Sequence, residues 1–204
     1  ERVGVELQVD SLQMAGELTA DLSATTDSSA LLKELGQLRQ RKAELASTGL
    51  THLFTGRDLD GNTAGIAYTL ALCSLRYAAS LTMIHESIAL DTLTTAHEIG
   101  HVFGAPHDGA EHCASTPQWQ YVMTPTLDTS VTSVSQCSID EIDKVIASYS
   151  CVKDLPDPAP STPAPGDDGD DAGGPGNNDS DKGGGGGGSL DPALLCMLLL
   201  LAMW

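Results

Sequence analysis

The run His97-Glu98-Ile99-Gly100-His101-Val102-Phe103-Gly104-Ala105-Pro106-His107-Asp108 decides how the rest of the chain is read. On an α-helix, residues four apart share a face, so His97 and His101 can present two imidazoles to one metal ion with Glu98 beside it. Gly104 tolerates the left-handed conformation that ends a helix, and Pro106 discourages the helix from resuming. The chain can then turn back and deliver His107 as a third ligand. Three neutral imidazoles leave the fourth tetrahedral position open for water, the layout of a catalytic Zn2+ site and not of a closed structural one. A bare H-E-x-x-H arises by coincidence in helices that bind nothing. Here the third His, the turn Gly and the trailing Asp all fall at the required offsets.

This pattern resembles that of the metzincin zinc proteases, whose other hallmark is a Met in a tight turn beneath the metal. Met123, in Tyr121-Val-Met-Thr-Pro125, is similar to that residue. Asp108, directly after the third His, resembles the adamalysin or reprolysin (ADAM-type) branch. The stretch His52-Leu-Phe-Thr-Gly-Arg-Asp-Leu-Asp-Gly-Asn-Thr-Ala-Gly-Ile-Ala-Tyr68, the Leu72-Cys-Ser74 after it, Gln136-Cys-Ser-Ile-Asp-Glu-Ile142 and Tyr149-Ser-Cys-Val152 extend the likeness. It runs from about Val3 to Val152, with its strong motifs between His52 and Cys151.

The resemblance implies an α/β fold: a metzincin-type mixed sheet with an active-site helix, a smaller C-terminal subdomain, and a start that lacks the first strand and helix of the family. It implies a zinc endopeptidase in which His97, His101 and His107 hold Zn2+ and Glu98 is the general base. Gly104 and Asp108 support the site, Met123 forms its floor, and polypeptide substrates lie along the edge strand near Gly65 to Leu70. A Ca2+ site is admitted, with Asp154 as candidate ligand. A catalytically inactive adhesion or binding module is the alternative.

Five cysteines occur, at 73, 113, 137, 151 and 196, with no C-x-x-C pair. That spacing argues against a cysteine zinc cluster and for disulfides in an oxidising compartment. The first four permit three pairings, among which the resemblance implies Cys73 with Cys151 and Cys113 with Cys137. Cys196 is odd and lies in an apolar tail.

The chain has 204 residues and a formal charge of −18, divided as −11 up to Leu155 and −7 beyond. Nothing in this balance points to nucleic acid or an anionic membrane surface as a partner, because both need clustered Lys and Arg. The one basic cluster, Arg39-Gln-Arg-Lys42, reads as the solvated face of a helix.

Residues 1–155 read as the catalytic domain. Val3, Val5, Leu7 and Val9 alternate as in a half-buried strand. Ala30 to Arg41 reads as a helix with Leu31, Leu35 and Leu38 on one stripe. Strands are expected over Thr51 to Thr55, Ala64 to Leu72 and Ser80 to His85. Asp58-Leu-Asp-Gly61-Asn is a turn, lacking the terminal glutamate of a calcium loop. The active-site helix is expected to begin near Asp91 or Thr92 and run to about Phe103. A last helix covers about Ser138 to Ser148 with Ser138 as its cap. His52, His85 and His112 read as surface or partly buried imidazoles.

Residues 156–192 read as a disordered acidic spacer: six of the ten prolines fall between Pro156 and Pro175, and Gly183 to Gly188 is a pure glycine run. Residues 193–204 are almost wholly apolar, yet shorter than the roughly 20 residues a spanning helix needs. Small residues, a polar spacer and a short apolar terminus match a GPI-attachment signal, with the lipid acceptor around Asn178 to Gly184. Membrane attachment would then run through the tail. A membrane helix cut short, or a secreted protein with a tail of no role, are the alternatives. The chain does not begin with Met, so position 1 reads as an internal point of a longer precursor.

Overall fold

The computed structural model describes residues 7–14, 20–152 and 196–202, the last seven by their backbone. The elements in chain order are β1 (Gln8–Met14), α1 (Ser28–Arg41), α2 (Ala43–Ala46), β2 (Leu50–Thr55), β3 (Gly65–Ala67), β4 (Ala79–Met83), α3 (Ile88–Val102), α4 (Gln136–Ser148) and β5 (Cys196–Ala202). The sheet is mixed and ordered β1-β5-β2-β4-β3. Strand β2 runs parallel to β4 with Leu53 opposite Leu81, while β3 runs antiparallel to β4 with Ile66 opposite Leu81. The proline-rich spacer and Asp154 lie outside the described residues.

Alternation along β2 sorts its side chains between two layers. Leu53 joins Leu31, Leu35 and Leu38 of α1, all fully buried, in the core on one face. Leu50 faces the other way, into a core with Leu93, Val102 and Phe103 of α3 or its end and Ile142 and Val145 of α4. The expected α1 stripe is therefore the seam that seals one side of the sheet, and α3 is pressed on the other.

Several local expectations are corrected. Strand β3 stops at Ala67 instead of continuing to Leu72. The next residues peel away to satisfy the carbonyls at the end of α3: the amides of Leu70 and Ala71 donate to His101 and Val102 at 2.9 and 3.0 Å. Leu70 takes a φ of 53° to do so. Helix α3 begins at Ile88, earlier than Asp91, because Ser87 caps it by accepting from the Leu90 amide at 3.3 Å. Asp91 instead accepts from the His85 amide at 2.9 Å. Helix α4 is capped by Ser135, not Ser138.

Two polar residues, Arg39 expected on a solvated face and His52 expected at the surface or partly buried, are fully buried. Arg39 is fully enclosed: its guanidinium donates to the hydroxyls of Thr48 and Thr51 at 2.9 and 2.7 Å and to the carbonyls of Leu45, Thr48 and Ser74. Burial lowers its pKa to about 10, which leaves it charged at neutral pH. The carbonyls and hydroxyls replace its water, so a cation at the helix–sheet junction is tolerated. His52 is also fully buried, its ring nitrogens 2.7 Å from Ser80 Oγ and 3.1 Å from Thr82 Oγ1. Thr82 Oγ1 lies 3.3 Å from Thr95 Oγ1, so this chain of polar atoms links the middle of the sheet to α3.

Cys73 is bridged to Cys151 and Cys113 to Cys137, with Cα atoms 6.1 and 5.7 Å apart. The first ties the segment after β3 to the stretch just after α4. The second ties the loop after His107 to the first turn of α4.

Candidate active site

Helix α3 carries His97, Glu98 and His101 on the wall of a cleft of about 670 Å³. The helix ends as the glycine predicts. Gly104 has φ +92°, its amide donates to His101 O at 2.8 Å, and the Ala105 amide reaches Gly100 O at 3.0 Å. These paired bonds close the last turn and reverse the chain. His107 is thereby returned to the other two imidazoles.

The three Nε2 atoms lie 3.1 to 3.2 Å from one another. Zn–N bonds of about 2.0–2.1 Å in a tetrahedral shell place nitrogens roughly 3.3 Å apart, so the triad fits one such ion. Among the described residues this triad is the group of His, Cys, Asp or Glu able to hold a metal.

Two backbone carbonyls fix which nitrogen faces the centre. His97 Nδ1 is 2.7 Å from Val122 O and His101 Nδ1 is 2.8 Å from Ala105 O. A carbonyl only accepts, so each Nδ1 carries the proton and each Nε2 keeps its lone pair for a ligand bond. Burial lowers the pKa of all three imidazoles, that of His97 to about 4, so they are neutral at physiological pH. Neutral imidazole is the form that binds metal.

Glu98 is buried, and burial pushes its pKa up to about 8 in the metal-free chain. Asp108 is wholly enclosed beneath His107. Its amide donates to Met123 O at 2.9 Å and its carboxylate accepts from the Ser135 hydroxyl at 2.7 Å. Burial raises the Asp108 pKa against the opposing pull of Ser135 and Ser138. Met123 is buried against α3, where a Cβ on Gly100 would stand 2.6 Å from its sulfur. The glycine in H-E-I-G-H thus makes room for the methionine.

The facing side of the cleft comes from Gly65 to Ala67 of β3 and from Pro125 to Leu127. The structure brings His97, Glu98, His101 and His107 onto this one cleft, with Asp108 and Met123 behind them. His52, His85 and His112 stay outside it. The carbonyls of Val122 and Ala105, and Ser135, are partners that sequence reading missed. The first two carry no side-chain signal at all.

A family model for reprolysin-type proteins, described as metallo-peptidase family M12, matches residues 2–135. Disintegrin and metalloproteinase domain-containing protein 19 of Mus musculus is 34% identical over 110 residues, which are 52% of this chain and 12% of that protein. The snake venom metalloproteinase acutolysin-C of Deinagkistrodon acutus is 34% identical over 96 residues, 46% of this chain and 22% of the relative. The chain thus spans a minor part of the length of either. With the family model covering well over half of the chain, and its site built as described, the chain belongs to the M12 metallo-peptidases, in their reprolysin (ADAM-type) branch.

Proposed function

We propose that this chain is the catalytic domain of a zinc-dependent endopeptidase acting on extended polypeptides outside the cell or at its surface. The observation that carries this reading is the convergence of three neutral imidazoles and one buried carboxylate on a single open cleft beside a sheet edge. A bound Zn2+ would supply Lewis acidity and bring the pKa of its water toward neutrality. His97, His101 and His107 would hold it, oriented by Val122 O and Ala105 O. Glu98 would take the proton of the attacking water and return it to the departing amine. Substrate would lie antiparallel to β3, whose free edge offers the backbone pairing that an extended peptide needs.

Two disulfides support an oxidising compartment. We assign the enzyme to the outer face of the cell membrane, held by a GPI lipid near Asn178 to Gly184, on the strength of the sequence layout of the tail. No described helix is long and apolar enough to cross a membrane. Lipid attachment would remove Cys196–Ala202 and with it β5, so the anchored form would have an open gap between β1 and β2.

Hydrolysis of an internally quenched peptide by the zinc-loaded chain tests the catalytic reading. Activity should vanish with 1,10-phenanthroline and return on adding Zn2+. A chain that holds one zinc and cuts no peptide or protein would instead be an inactive binding module.

A further inference from the structure

Glu98 has no hydrogen-bond donor on its carboxylate among the described residues, although it is only 6% exposed. Its position is set by packing, and the surface against it is the bare backbone of Gly65. A Cβ at residue 65 would lie 2.7 Å from Glu98 Cγ, 2.8 Å from Glu98 Oε1 and 2.8 Å from Thr94 Cγ2. All three distances are shorter than non-bonded contacts in folded proteins allow.

Neither Thr94 nor the strand can step aside freely, which leaves Glu98 as the group that moves. Thr94 is fully buried and its hydroxyl donates to Leu90 O at 2.8 Å, one turn back on the same helix. Behind Gly65 the strand is pinned: Gly65 sits opposite Thr82 in the ladder, and the Met83 amide donates to Ala64 O at 2.7 Å. The backbone itself does not call for glycine, since the positive-φ glycines are Gly61, Gly104 and Gly109. An alanine could adopt the conformation of residue 65, and what excludes it is space. That space is taken up by the side chain of Glu98.

We infer that Gly65 is a positioning residue: the absence of its side chain forms the seat that holds the Glu98 carboxylate against the edge strand. The inference rests on Glu98 being the general base. It gives β3 two roles in the same three residues, pairing with substrate along its outer edge and supporting the base with its face. Any side chain at 65 would push the carboxylate out of line while leaving the three imidazoles and the metal in place.

The test compares zinc-loaded chains of the native sequence, Gly65→Ala, Thr94→Ser and the double variant. Zinc stoichiometry, melting temperature, kcat and KM on a quenched peptide, and the Kd of a peptide hydroxamate are measured for each. The hydroxamate binds the metal and shares a proton with the base, so its affinity reports the carboxylate position independently of turnover. Gly65→Ala should keep one zinc and a cooperative fold, with a melting temperature lowered by only a few degrees because the displaced Glu98 takes up most of the clash. Its kcat should fall roughly 100-fold with KM within threefold, because misplacing a catalytic group by about 1 Å has that effect. Hydroxamate binding should weaken roughly 10-fold. Adding Thr94→Ser to Gly65→Ala trims the methyl that the new side chain would meet, and should recover part of both losses.

Gly65→Ala with kcat within twofold of native and unchanged hydroxamate binding would overturn the inference. So would a rise in KM alone, which would make Gly65 a substrate contact, or loss of the zinc or the fold. A native chain that binds zinc and hydroxamate but hydrolyses nothing would defeat the catalytic reading, and the hydroxamate comparison would still decide the role of Gly65.

Discussion

Ser135 donates its hydroxyl to Asp108 at 2.7 Å, and the same oxygen accepts from the Ser138 amide at 3.1 Å as the cap of α4. One buried side chain therefore joins the residue after the third imidazole to the helix that closes the core behind Met123. The bond is to Asp108 Oδ1, whereas Oδ2 has no hydrogen-bond partner among the described residues, so the enclosed carboxylate leans on Ser135 with Ser138 beside it.

Replacing Ser135 by Ala removes the cap and strands a buried acceptor. The expected cost is about 1–3 kcal/mol of stability, read by urea unfolding of the zinc-loaded chain. Zinc affinity should fall roughly 10-fold, because the bond acts one residue from His107. Ser135→Thr should keep most of both. Native-like stability of Ser135→Ala would show that the bond does not brace the site.

Glu98→Gln preserves shape and removes the carboxylate proposed as the base. The variant should bind one zinc and lose peptide hydrolysis by a factor on the order of 10²–10⁴, the range that general-base catalysis supplies. His101→Ala should lose the metal itself, measured by dialysis against buffered Zn2+ and elemental analysis. Turnover by Glu98→Gln at the native rate would mean that the proton goes elsewhere.

Much of this site was legible because its parts are local. Helical spacing places His97, Glu98 and His101 on one wall, and a glycine followed by a proline brings His107 back. What was not legible depends on partners remote in sequence. His52 reads as an ordinary strand residue until Ser80 and Thr82 are known to lie beside it, and Arg39 reads as solvated until Thr48, Thr51 and Ser74 close over it. The apolar run Ala64 to Leu72 reads as one strand, since nothing in it signals that its second half serves the end of α3. Gly65 shows no motif, because its contribution is the room it leaves for a residue 33 positions away.

His52 makes stability pH-dependent. Burial lowers its folded-state pKa to about 3, with no charged partner to oppose that effect. Between the unfolded value near 6.5 and that folded value, the unfolded chain binds a proton that the folded chain does not. The contribution of His52 is therefore fully present above the unfolded pKa and is lost as pH falls through this window, at up to about 1.4 kcal/mol per pH unit. Burial also lowers the pKa of His97, His101 and His107, so the effect of His52 is the difference between native protein and His52→Gln. Unfolding free energies from pH 6.5 down to 4 should fall more steeply for the native chain by about one proton. Equal slopes would place His52 in contact with water.

The tail is where sequence and structure assign one segment two uses. In the full chain Cys196–Ala202 pairs with both β1 and β2, with Leu50 opposite Leu201 and Thr55 opposite Cys196. A GPI-anchored form would lack these residues, which would take the β5 pairing away from Leu50 to Phe54. The precursor expressed in animal cells should be released by a phosphatidylinositol-specific phospholipase. Hydrogen exchange should then be faster over Leu50 to Phe54 in the released enzyme than in the purified full chain, while the side of β2 that pairs with β4 stays protected. Enzyme that resists the phospholipase and still carries Trp204 would mean that the tail remains with the chain, as a strand or in the membrane, and the lipid assignment would be withdrawn.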